Sequence, residues 1–62
     1  MTTYRVSILC TDYEIVELIL NEKSPLSAMV EAHRRFKWHS YGECIKKTQV
    51  FKVATNELVL EK

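Results

Sequence analysis

The chain has 62 residues, 47% of them hydrophobic and 27% charged, with one Gly, one Pro, two Cys and a formal net charge of +1. A chain of this size buries only about 60% of its unfolded surface and has little material left for a catalytic pocket once its core is built. The composition excludes disorder, and apolar runs of only two or three residues exclude a membrane-spanning helix.

Residues 4–10 alternate, with Tyr4, Val6, Ile8 and Cys10 on one side and Arg5, Ser7 and Leu9 on the other. This predicts a strand with one buried face, broken by Thr11 and Asp12. Residues 13–20 have no clean period: Ile15, Leu18 and Ile19 fall at helical spacing, but the β-branched content and the short preceding break favour the second strand of a hairpin. In that strand Val16, Leu18 and Leu20 share one face and Ile15 and Ile19 the other. One face is expected to meet a helix and the other is left for a partner.

Asn21, Glu22 and Lys23 read as a polar linker. Ser24 and Pro25 then mark a helix start, Ser24 as N-cap and Pro25 at the first helical position, where its missing amide costs nothing. The expected apolar stripe is Leu26, Met29, Val30, His33 and Phe36 or Lys37, with Ala28 and Ala32 beside it. The helix is expected to end between Phe36 and Ser40, with Gly42 at the exit and Arg34, Arg35 and Lys37 favouring its C-terminal dipole. Residues 43–54 return to alternation, with Lys47, Gln49, Phe51 and Val53 set against Thr48, Val50, Lys52 and Ala54. Thr55 and Asn56 read as a tight turn, and residues 57–61 as a short strand in which Leu58 and Leu60 share a face.

The predicted fold is α+β, in the order β-β-α-β-β: one domain over residues 1–62, with one helix packed across a small four-stranded, mainly antiparallel sheet. Residues 1–31 hold five carboxylates against two cations, and residues 32–62 seven cations against three carboxylates. The charge is therefore two-sided along the sequence.

Cations and aromatics interleave from His33 to Tyr41. Arg34, Arg35, Lys37, Trp38, His39 and Tyr41 are the residue types that dominate protein interfaces, and their charge suits a partner with an acidic surface. The same pattern could follow phosphates and stack bases, which makes Arg34, Arg35, Lys37, Lys46, Lys47 and Lys52 the candidates for nucleic acid binding. The plain alternative is that Phe36 and Trp38 close the end of a small core while the cations face water.

His33, His39, Cys10 and Cys44 are zinc-ligand types without zinc-ligand spacing, and a single Gly cannot build a glycine-rich phosphate loop, so no metal or cofactor is expected. A Cys/His pair, Cys44 with His39 or His33, lacks the surroundings that a nucleophile needs. The first residues lack the basic start and long apolar run of a signal peptide, which gives the expectation of a reducing cytoplasm and no disulfide. A basic, Trp38-bearing helix end suits a membrane surface, but the apolar stripe is already needed by the sheet.

These features lead us to expect a non-enzymatic interaction module, dimeric because so small a core benefits from a second subunit. The alternatives are a small nucleic-acid-binding protein and an assembly subunit. In outline alone, as a tiny, nearly neutral β/α domain, the chain resembles the small early proteins with which bacteriophages bind and block host enzymes. That resemblance implies an inhibitor or regulator of a partner protein and carries no site residues.

Overall fold

The alternation of the first residues becomes β1 (Thr2–Cys10), in which Tyr4, Val6, Ile8 and Cys10 are buried. The structure is a computed structural model that describes residues 1–11, 13–37 and 45–62, the side chain of Lys37 excepted. The turn after β1 closes with Cys10 donating its amide to the Glu14 carbonyl at 2.9 Å and Tyr13 donating to the Cys10 carbonyl at 3.0 Å. Asp12 within that turn lies outside the described residues. Tyr13 takes a left-handed backbone, φ 67°, a conformation that costs a non-glycine residue roughly 1–2 kcal/mol.

The segment whose sequence allowed helix or strand is β2 (Ile15–Glu22), paired antiparallel with β1 from Leu9/Ile15 to Thr2/Glu22. Asn21 and Glu22 belong to the strand rather than to a linker. They face Thr3 and Thr2, and the Thr3 hydroxyl meets the Asn21 side-chain carbonyl at 2.5 Å.

Ser24 caps α1 (Pro25–Lys37) as its sequence predicts: the Ser27 amide donates to Ser24 Oγ at 3.2 Å and the Ala28 amide to the Ser24 carbonyl at 3.1 Å. The buried stripe is Ala28, Met29, Ala32 and Phe36. Leu26 and Val30, expected in that stripe, are 57% and 60% exposed. The small Ala28 and Ala32 bring the helix backbone close to the sheet, which narrows the covered arc and leaves Leu26 and Val30 on the solvent side of it.

β3 (Ile45–Lys52) lies antiparallel to β1, and β4 (Glu57–Glu61) antiparallel to β3, giving the sheet order β2-β1-β3-β4. The predicted start of β3 at Glu43 lies outside the described residues, and Val53 and Ala54 fall in the turn to β4 rather than in the strand. That turn contains Asn56 at φ 56°, a region Asn tolerates better than most residues.

Leu58 and Leu60 do not share a face. The register shifts between Val50 and Phe51, so that Leu60 opposes Val50 on the helix side while Leu58 opposes Phe51, with Val59 as the extra residue of a bulge. The core is the layer between α1 and one face of the sheet, built on Val6, Ile8 and Val50, with Val16, Leu18, Ile45 and Leu60 packed at its margins. Thr48 is the one buried polar side chain among the described residues, and its Oγ1 lies 2.8 Å from His33 Nε2, joining α1 to β3. No described helix is long and apolar enough to cross a membrane.

Candidate interaction surface

Among the described residues, the one helix covers one side of the sheet and no element covers the other. Strand pleat and register place Ile15, Glu17, Ile19 and Asn21 of β2 beside Thr3, Arg5, Ser7 and Leu9 of β1, then Lys47, Gln49 and Phe51 of β3, then Leu58 and Glu61 of β4. Asn21 and Thr3 pair at one end, and three longer cross-strand rows result. Ile15, Leu9 and Lys47 form one, Glu17, Ser7, Gln49 and Glu61 the next, and Ile19, Arg5, Phe51 and Leu58 the third. Ile15 is 63%, Ile19 62% and Leu58 47% exposed.

Arg5 organises the third row. Its guanidinium carbon lies 4.5 Å from the Phe51 ring centroid, its Nη1 3.4 Å from Glu17 Oε2, and its Nη2 donates to Asn56 Oδ1 at 3.2 Å. One side chain thus joins β2, β3 and the β3–β4 turn across the face, with its cation over the ring as ring electrostatics favour. In the middle row, Gln49 Nε2 donates to Glu61 Oε2 at 2.7 Å and Lys47 Nζ lies 3.2 Å from the same oxygen. These two contacts, Gln49 first, hold the Glu61 carboxyl below its usual range. The face therefore carries two cations and two carboxylates in mutual pairs, so its apolar residues surround a neutral network.

The residues singled out by charge are distributed differently. Arg34 and Arg35 stand exposed on α1 and both reach Glu31: Arg34 Nη2 and Arg35 Nε contact Oε2 at 2.6 and 2.9 Å, and Arg34 Nε donates to Oε1 at 3.1 Å. The hydrogen bonds from Arg34 and then Arg35 lower the Glu31 pKa from its ordinary 4.5 to about 2. Lys46 is the extra residue at the bulge opposite Leu9 and Cys10, with its ammonium 4.9 Å from the Tyr13 ring centroid. Lys47 lies on the open face, and Lys52 sits half-buried near the far end of β3. These cations thus fall on the helix, at a bulge, on the open face and, for Lys52, on the helix side of the sheet, rather than along one track. The side chain of Lys37, and Trp38, His39, Tyr41 and Cys44, lie outside the described residues.

No family model matches the chain. No curated protein and no solved structure matches it either. The reading of the surface accordingly rests on its own residues. Among the described residues, no three His, Cys, Asp or Glu side chains are grouped to hold a metal ion. An open depression of about 380 Å³ lies at the start of α1, lined by Glu22, Ser24, Leu26, Ser27, Val30 and Glu31.

Sequence reasoning found the outward Ile15 and Ile19 but not their neighbours. The Arg5–Phe51 pair is 46 positions apart in sequence, and only the strand register reveals it. The Glu31 pairing did carry a signal: Arg34 and Arg35 follow it at i+3 and i+4, the spacing at which helical side chains meet.

Proposed function

We propose that this protein is a non-enzymatic interaction module that regulates a partner protein by covering its surface with the open sheet face. The observation that supports this reading is the exposed set Ile15, Ile19 and Leu58, gathered with Phe51 around a charge network that is already neutralised. A face built this way can be desolvated without stranding an unpaired charge. Strands of nine, eight, eight and five residues, about 4.8 Å apart, present about 500 Å², a little below the usual size for one side of a specific protein interface. Arg34 and Arg35, around the single Glu31, stand on the helix side of the sheet, so the acidic partner surface expected from the sequence would meet the helix and not the open face. The partnering of Arg34, Arg35, Lys46 and Lys47 within the chain favours a protein over a phosphate backbone. A cytoplasmic place of action follows the sequence argument alone.

The test is Leu58→Lys, which places a charge on the open face at an exposed position. Proteins captured from cells by the unaltered chain should be lost by this variant while its circular dichroism is unchanged, and a pool of short DNA and RNA oligonucleotides should not bind. Undiminished capture by the variant, or oligonucleotide binding that weakens steeply with salt, would overturn the proposal.

A further inference from the structure

The two edges of the sheet are treated differently. β4, at one edge, is five residues long and bulged at Val59, and both features discourage strand addition. β2, at the other, is eight residues long, pairs with β1 without a register shift, and contains neither Pro nor Lys. Among the described residues no strand lies on its outer side. Its one charged side chain on the open face, Glu17, is paired with Arg5 inside the chain. Among the described residues, the only further guard on this strand is the charge of Glu22 at its end.

The hydrogen-bond phase shows which backbone groups that edge offers. The Cys10 amide bonds to the Glu14 carbonyl, and Thr48 and Lys62 exchange both of their bonds, at 3.0 and 2.8 Å. Antiparallel alternation then turns the amides and carbonyls of Val16, Leu18, Leu20 and Glu22 inward to β1, and those of Ile15, Glu17, Ile19 and Asn21 outward. Among the described residues nothing bonds to these outward groups, so the edge is a ladder of four residues with both groups available.

We infer that this edge pairs with the same edge of a second copy, antiparallel about a two-fold axis at Leu18, to give one continuous eight-stranded sheet. The inference deepens the interaction reading above and rests on it, since the open faces of the two copies become one larger face. A two-fold axis normal to the sheet keeps each residue on its own face, so the registers are few. With Leu18 on the axis, Ile15 stands opposite Asn21 and Glu17 opposite Ile19, giving about eight backbone hydrogen bonds, two for each outward pair. On the helix side Val16 meets Leu20 and Leu18 meets its own copy. This covers Val16 and Leu18, which are only half-buried in the single chain. An axis at Glu17 would set that carboxylate against its own copy at the centre of the pairing, whereas the Leu18 axis confines like charges to Glu22 and Glu14 at the two ends, and an axis at Ile19 would leave Ile15 beyond the partner strand. The apolar match on the helix side, Val16 with Leu20 and Leu18 with its own copy, is what favours a second copy over a foreign segment.

Eight residues at about 3.4 Å each, multiplied by the 15 Å least dimension of the molecule, give roughly 400 Å² per copy, about half of a standard interface side. A weak, reversible dimer follows, with a dissociation constant on the order of 10–100 µM.

The experiment is light scattering from about 10 to 500 µM, a range set by that dissociation constant, together with amide hydrogen exchange. The mass should rise from 7.3 kDa towards twice that value. The Ile15, Glu17, Ile19 and Asn21 amides should gain protection with concentration, while Val16, Leu18 and Leu20 stay protected throughout. Ile19→Pro, which removes an outward amide only, should remain monomeric and folded. If that variant unfolds, the exchange pattern of the unaltered chain decides. A mass fixed at 7.3 kDa, or protection gained at β4 instead, would overturn the inference. Capture that still depends on Leu58 would show that the open-face reading survives its loss.

Discussion

The contact between His33 and Thr48 permits a quantitative test of how α1 is held to the sheet. Thr48 is 1% exposed and His33 half-buried, and their side chains meet at 2.8 Å. Thr48→Val replaces the hydroxyl by a methyl of the same shape and leaves a ring nitrogen within reach of water, so the loss should be about 0–1 kcal/mol. His33→Ala leaves the Thr48 hydroxyl in an apolar layer without this partner, which should cost about 1–3 kcal/mol. The loss in the double variant should fall short of the sum of the two single losses by about 1 kcal/mol, the net worth of the bond. Urea unfolding followed by circular dichroism reads this directly: at about 1 kcal/mol per molar, that coupling is a shift of about 1 M in midpoint. Against a total stability of roughly 3–9 kcal/mol for a chain this long, the effect is large. Losses that add to within about 0.3 kcal/mol would show that the bond does not tie the helix to β3.

Two further outcomes follow from the turn and the helix. The Glu31 carboxyl should titrate near 2 by NMR, and its pairing should stabilise the fold fully above about pH 4.5 and lose that effect as pH falls towards 2, because the folded pKa lies below the unfolded one. Glu31→Gln should flatten this acid limb, and titration near 4.5 would show that the Arg34 and Arg35 contacts do not persist in solution. Asn56→Val forces a β-branched residue into a left-handed position and removes the acceptor for Arg5. It should lower stability by about 1–2 kcal/mol in thermal unfolding, whereas Asn56→Gly should cost less.

Much of the architecture is legible in local chemistry. Period-two alternation marks β1, and Ser24 with Pro25 marks the first turn of α1 to the residue. The strand nature of β2 is only weakly written, because a strand apolar on both faces also contains helical spacings, and pairing with β1 decides it. Leu26 and Val30 mislead for a different reason. Hydropathy reports which side chains can be buried, while Ala28 and Ala32 set how closely the helix approaches and therefore how wide its covered arc is. The Val59 bulge leaves no trace in the alternation of residues 57–61, so the facing of Leu58 follows from register alone. At the candidate surface, Ile15 and Ile19 declare themselves as apolar residues on the wrong side of a strand. The Arg5–Phe51 contact depends on tertiary pairing, and the cations of α1 read as more available in the sequence than Glu31 leaves them.

The Val59 bulge also bears on how far association can run. A sheet with two receptive edges adds copies at both ends and grows into a filament. A sheet with one receptive edge is finished when that edge meets its copy, since both outer borders are then β4. In the dimer inferred above, the bulge, a single surplus residue in a five-residue strand, is the terminator: it would hold the copy number at two and keep a chain with an open strand edge out of cross-β growth.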